Sequence, residues 1–191
     1  MLRPDWPRSG RSRAKSPTLI LIDLSGRNAL RPAEARAARW RNLDDDQGLL
    51  RITNQMNADD QLGPVKTKDS ARTIRLDGTT LGRLNHWRTL QVAAAERAAR
   101  WDNDAELIAT SRTGTPIERN NFARSLHRLC ERAGIEPIRP YELRHTAFSH
   151  QADRGRSSWE IADWAGTCER MISDVYRHQL AQVSVLMPGD T

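Results

Sequence analysis

A mainly helical α+β fold with one small antiparallel sheet is predicted by three observations. Apolar residues recur at helical spacing over long stretches bounded by Pro, Gly and capping residues. Two short runs rich in β-branched and apolar residues flank a polar connection, which is the pattern of paired strands. No internal repeat is visible, and 191 residues suffice for one domain with its own core.

Residues 1–17, from Met1 to Pro17, are rich in Pro, Arg and Ser and are expected to be disordered. From Thr18 to Ser25, the run Leu19-Ile20-Leu21-Ile22 fits a helix or a strand equally, because so short a run has no readable period. Pro32 suits a first helical turn, and Ala33, Glu34, Ala35, Ala37, Ala38 and Trp40 predict a helix after it. Asp44-Asp45-Asp46-Gln47-Gly48 reads as a turn. Leu49–Thr53 and Ala71–Leu76 then read as strands around a polar, mobile connection that holds Lys66-Thr67-Lys68.

The rest reads as helices. Thr79–Trp101 places Leu81, Leu84 and Trp87 on one face. Leu107–Thr110 is a short extended piece before a Gly114-Thr115-Pro116 turn. Glu118–Ala133 carries Phe122, Leu126, Leu129, Cys130 and Ala133 at helical spacing and is closed by Gly134. Pro140 opens a helix that Gly155 ends. Ser157 and Glu160 form a capping box for a helix through Ala165, with Gly166 as its stop. A last helix is expected from about Glu169 to His178.

Lys and Arg total 30 against 24 Asp and Glu, a net charge of +6 that suits a nucleic-acid partner. An Arg-rich composition also follows from GC-rich coding, so charge alone does not decide. Two cysteines, Cys130 and Cys168, lack metal-ligand spacing and favour a reduced, cytoplasmic setting. No stretch reaches the roughly 18 apolar residues of a membrane helix, and the N-terminus lacks the apolar core of a secretory signal. His145 and His150 are five apart with no carboxylate-rich shell, a poor metal site.

The chain's two tyrosines, Tyr141 and Tyr176, both lie in a C-terminal stretch built around Arg144. A phenol near guanidinium groups can attack a phosphodiester, provided cations and a base assist it. Planar Arg forks neutralise the two non-bridging oxygens best, and a Lys can protonate the leaving oxygen. The chain offers Arg31 at a helix start, Lys66 in a hairpin loop, Arg144 in a helix and Tyr176 on the last helix. Tyr141 and Arg144, three apart, share a helix face. Each alone has a plainer reading: a salt-bridged Arg, a surface Lys, a packed Tyr whose hydroxyl finds a partner. The Arg124, Arg128 and Arg132 stripe likewise reads first as a solvated face.

The ordered set resembles the catalytic domain of tyrosine recombinases, the phage-integrase family, especially its actinobacterial type. The resemblance covers nearly everything after residue 18. Leu30-Arg31-Pro32-Ala33-Glu34 looks like the first arginine box, with Arg31 in the catalytic position and Glu34 as the supporting acid. Lys66-Thr67-Lys68 followed by Arg72-Thr73-Ile74 looks like the lysine-bearing β-hairpin. Tyr141-Glu142-Leu143-Arg144-His145-Thr146 is similar to the second box. Trp164-Ala165-Gly166-Thr167 through Val175-Tyr176 resembles the last box, with Tyr176 lying 32 residues after Arg144.

The resemblance implies a tyrosine-recombinase catalytic-domain fold, of the DNA breaking-rejoining type, over residues 18–178. It implies site-specific recombination through a 3′-phosphotyrosine, with Tyr176 as nucleophile. Arg31 and Arg144 would clamp the phosphate, Lys66 would serve as general acid, and Tyr141 and Thr167 would stand where the family has histidine, and histidine or tryptophan. Lys68, Arg72, His145 and Arg177 are the further DNA contacts expected. No cofactor and no metal are implied. The partners are double-stranded DNA and further copies of the chain, as a tetramer on paired sites with residues 179–191 as an exchanged tail. Only about thirty residues precede Arg31, so the N-terminal core-binding domain is expected to be absent. That expectation and Thr167 leave an alternative open: a degenerate or truncated integrase remnant that binds DNA without recombining it.

Overall fold

The apolar run that fits helix and strand equally is helical in the computed structural model, which describes residues 16–66 and 70–174. Helix α1 spans Pro17–Gly26. The Ser16 hydroxyl accepts from the Thr18 amide at 3.2 Å, and Pro17 occupies the first helical turn. Helix α2 is a short piece, Pro32–Arg36, followed by a 3-10 turn at Trp40–Asn42. Five strands come next: β1 (Leu43–Asp44), β2 (Leu49–Ile52), β3 (Asn54–Met56), β4 (Leu62–Pro64) and β5 (Arg72–Arg75). Four further helices follow: α3 (Gly78–Arg97), α4 (Arg119–Ala133), α5 (Pro140–Ala152) and α6 (Ser158–Ala165). Residues 169–174 are helical again.

Helix α1 is the centre of the packing, touching α2, α3, α4 and α5. Ile20, Leu21 and Leu24 are wholly buried in the main core with Leu50, Ile74, Leu84 and Phe122. Each such side chain contributes about 1.5–3 kcal/mol by leaving water. Burial on several sides explains why its sequence shows no single apolar stripe. A second, smaller core joins α5 and α6 through Ala147, Phe148, Ile161 and Ala165, and it includes Ala29 and Ile172. Ile172 thereby anchors the helical residues 169–174.

The two predicted strands pair with one another. β2 and β5 run antiparallel from Leu49↔Arg75 to Ile52↔Arg72, and β1 adds a third, edge strand through Leu43↔Leu50. The described part of the connection between β2 and β5 holds regular structure that its sequence does not suggest. It forms its own hairpin, β3 with β4, around a turn at residues 57–61. The strands are only three residues each, and Gly63 and Pro64 are poor strand formers, which hides them from a period-2 search. Met56 is the buried anchor, packed with Ala37, Leu107 and Leu62.

Two helix ends also differ from expectation. The helix expected to run through Trp40 stops at Arg36, because the chain there pairs with a distant segment. The Trp40 amide donates to Glu106 O at 2.8 Å and the Ile108 amide to Ala38 O at 2.8 Å. Those bonds, with the Trp40 indole donating to Gln91 Oε1 at 2.6 Å, override the alanines' helix preference. Helix α3 ends at Arg97 rather than Trp101, where the Asp102 amide turns to Thr113 O at 2.9 Å.

Candidate active site

Three helices begin with the same device. At α2 the Arg31 amide donates to Glu34 Oε2 at 2.9 Å; at α5 the Arg139 amide donates to Glu142 Oε2; at α6 the Ser157 amide donates to Glu160 Oε2 at 2.9 Å. Two of them share the local sequence Arg-Pro-x-Glu, at Arg31–Glu34 and Arg139–Glu142. A Glu at the third helical position satisfies an orphan amide and faces the positive end of the helix. At α2 this does more than cap. It sets the carboxylate of Glu34, 1% exposed, at the centre of a cluster of arginines.

Arg31 Nη1 reaches Glu34 Oε1 at 2.8 Å. Arg72, from β5, grips the same carboxylate with both arms, Nη1 to Oε1 at 3.2 Å and Nη2 to Oε2 at 3.0 Å. Arg144, from α5, comes to 3.8 Å from Oε2, an ion pair without a hydrogen bond. The other arms hold backbone carbonyls. Arg144 Nη1 donates to Ala29 O at 2.7 Å and Nη2 to Ala165 O at 2.8 Å, while Arg31 Nη2 donates to Gly166 O at 2.8 Å. Ala165 and Gly166 close α6, so its negative C-terminal end sits on two cations. Ala29 carries a positive φ of 55°, a conformation that costs a non-glycine residue free energy. Its carbonyl is the one that Arg144 takes.

Burial is graded across the cluster. Arg144 is 1% exposed and the Arg72 side chain 9%, whereas Arg31 keeps 28% and forms the outlet. Burial pushes the Glu34 carboxyl upward, but hydrogen bonds and charge from Arg72 and Arg31 outweigh it and hold the group below its ordinary value. Burial, then the neighbouring Arg31, pull the Arg144 guanidinium down to about 10, with Arg72 acting the same way and Glu34 opposing. It remains a cation at neutral pH. Three guanidinium groups facing one carboxylate leave two positive charges in excess. Among the described residues, Arg72 Nε and Arg144 Nε are buried donors with no hydrogen-bond partner. Such a site attracts an anion.

The remaining expected residues are distributed as follows. Tyr141 lies one turn before Arg144 on α5, 42% exposed, its ring edge-on to His145 at 5.1 Å. His145 is half-buried between Tyr141 and Phe148, and burial followed by the Arg144 charge lowers its pKa. Phe148 in turn lies under the Arg144 guanidinium at 5.2 Å. Thr167 follows the Gly166 turn, half-buried, its amide donating to Ala162 O at 3.0 Å. Lys66 is exposed just beyond the β3–β4 hairpin. Lys68, Tyr176 and Arg177, and most of the expected last helix, lie outside the described residues. Arg72, expected as a further DNA contact, is an inner member of the arginine cluster. Glycine at 166 is part of the reason, since a Cβ there would stand 2.8 Å from Arg72 Cδ. The sequence signal of Arg72 is its place after Lys66-Thr67-Lys68 in the stretch that resembles the lysine-bearing hairpin, and that does not separate an inward arm from an outward one. Among the described residues, no group of three or more His, Cys, Asp or Glu is placed to hold a metal ion.

The helical frame, the small antiparallel sheet and the arginine cluster define the catalytic-domain fold of tyrosine recombinases. The chain superposes on the XerA recombinase with a TM-score of 0.67 at 14% identity, over 92% of this chain and 58% of that one. It superposes on the Tn1549 transposon integrase in complex with transposon right end DNA with a TM-score of 0.67 at 17% identity, over 87% and 58%. The chain belongs to the phage integrase family, whose model matches residues 9–182. A "Tyrosine recombinase XerC-like" protein of Caldanaerobacter subterraneus subsp. tengcongensis is 24% identical over 165 residues, spanning 78% of this chain and 42% of the relative. The chain therefore covers less than two thirds of the proteins it matches. No helix among the described residues is long and apolar enough to cross a membrane.

Proposed function

We propose that the chain is the catalytic domain of a site-specific recombinase that breaks and rejoins double-stranded DNA through a 3′-phosphotyrosine. One observation carries this: Arg31, Arg72 and Arg144, from three separate elements, gather around the single buried carboxylate of Glu34. A phosphodiester carries one negative charge, and its five-coordinate transition state carries about two. Two excess positive charges therefore fit the transition state better than the ground state, which is what rate acceleration requires.

In this reading the Tyr176 oxygen attacks phosphorus and passes its proton to a solvent water as the P–O bond forms. Arg31, at the solvent-facing side of the cluster, takes one non-bridging oxygen, and Arg144 supports the other from beneath. Lys66 protonates the departing 5′ oxygen, so that bond breaks to a free hydroxyl. Energy is kept in the phosphotyrosine, and attack by a 5′ hydroxyl from a partner strand reverses the steps. Tyr141 supplies a hydrogen bond to the phosphate, as does the Thr167 hydroxyl. Lys68, His145 and Arg177 contact the DNA around it. Recombination of two duplexes needs several copies of the chain, and a tetramer on paired sites is the arrangement proposed.

The test uses nicked duplexes tiled across the DNA flanking the gene, in which cleavage releases a short fragment and traps the enzyme. A covalent protein–DNA adduct is expected with the native chain and none with Tyr176→Phe. Tight binding of these duplexes with no adduct on any of them would replace this reading with a DNA-binding remnant.

A further inference from the structure

Arg72 is a third cation in a site for which two arginines suffice, and its contacts say what it does there. A carboxylate offers about four lone-pair positions. On Glu34, Oε1 accepts from Arg31 Nη1 at 2.8 Å and from Arg72 Nη1 at 3.2 Å. Oε2 accepts from the Arg31 amide at 2.9 Å and from Arg72 Nη2 at 3.0 Å. All four positions are taken. Arg144 Nη1 stands next in line at 3.8 Å and is left to backbone carbonyls, with Nε unpartnered among the described residues.

We propose that Arg72 is a positioning residue that occupies Glu34 so that Arg144 cannot close on it. Without the Arg72 fork, two lone pairs of a buried carboxylate would face a buried guanidinium less than 4 Å away. A charge-assisted pair would form, because an unpartnered charge in that setting is strongly unfavourable. Arg144 would then spend on Glu34 the donors that a phosphate needs. Arg72 is itself fixed in this pose, since Nη1 also donates to Ser70 O at 3.1 Å and its stem lies against the bare Cα of Gly166. The inference rests on the phosphotransfer reading of the site.

The experiment compares the native chain with Arg72→Met and Arg72→Lys on the nicked duplex that traps the adduct. Two quantities are read separately: the affinity for the DNA and the rate of adduct formation at saturating DNA. Arg72→Met should slow adduct formation by about 10- to 100-fold, less than the loss of a direct oxyanion donor, with DNA affinity kept within about threefold. Arg72→Lys, which restores charge but a single-point contact, should recover part of the rate. A crystal structure of Arg72→Met should show Arg144 within hydrogen-bonding distance of Glu34. An unchanged rate, a rate loss matched by lost affinity or lost folding in both variants, or an Arg144 that stays on its carbonyls overturns the proposal. If the native chain forms no adduct, the phosphotransfer reading fails and this inference with it. If the native chain cleaves and Arg72→Met cleaves as fast, only the role of Arg72 is lost.

Discussion

Glu34 is the residue on which the site turns. Its carboxyl is held below the ordinary value despite burial, because Arg72 and Arg31 favour the charged form. A carboxyl whose pKa is lower in the folded than in the unfolded chain stabilises the fold above the unfolded value of about 4.3. That contribution fades as pH falls through the folded value. Glu34→Gln removes it and leaves three cations with no counter-charge, a loss of about 3–5 kcal/mol at pH 7. Urea unfolding of both proteins across pH 3–7 checks this. The gap should be widest at neutral pH and shrink on the acid side as native Glu34 takes up its proton. Equal stability at pH 7 would show that the cluster is already balanced by other groups. Arg31, Arg144 and Glu34 were legible in the sequence because each falls in a contiguous box. The fork of Arg72, the carbonyls of Ala29, Ala165 and Gly166, and the αL bend at Ala29 were not, since backbone acceptors and inward rotamers leave no residue-type signature.

At the scale of elements, helix ends rather than helix interiors build the site. The start of α2 carries Arg31, and α5 carries Tyr141 at its start and Arg144 one turn in; the end of α6 supplies two carbonyls. Capping residues and glycine stops were readable, so these ends were placed from sequence almost to the residue. The β3–β4 hairpin and the early stop of α2 were not, because both depend on pairing with residues far along the chain. Two glycine stops allow a controlled comparison. Gly134 closes α4 at φ 67° with nothing within 4 Å of where a Cβ would stand, whereas Gly166 closes α6 at φ 62° against Arg72. Gly134→Ala should therefore cost only the left-handed penalty, about 1–2 kcal/mol. Gly166→Ala should cost more, because Arg72 must also move off Glu34. Thermal melting measures the difference, and equal losses would mean that the Arg72 side chain yields freely.

For the whole molecule the question is how a net charge of +6 would serve the DNA binding proposed above. Several of the basic side chains are already held in ion pairs: Arg36 pairs with Asp60, Arg83 with Asp23, Arg27 with Asp77 and Arg88 with Asp45. Asp77 illustrates the strength of these links. Burial would raise its pKa, yet the Arg27 and Thr80 hydrogen bonds lower it to about 2. Cations committed this way release no counterions to a polyanion, so the count of 30 Lys and Arg overstates the cations free to meet phosphate. Lys66 is the opposite case, an exposed ammonium beyond a hairpin. Binding of a fluorescent duplex, measured by anisotropy between about 50 and 200 mM salt, separates the two kinds. The logarithm of affinity should fall linearly with the logarithm of salt, with a slope of about 0.9 per phosphate neutralised. Lys66→Ala should flatten that slope by about one phosphate. Arg36→Leu, at a side chain 2% exposed and hydrogen-bonded to Ile117 O, should lower the melting temperature and leave the slope unchanged. If Arg36→Leu flattens the slope as much as Lys66→Ala does, the buried pairs open on binding DNA, and the internal network belongs to the interface rather than to the core.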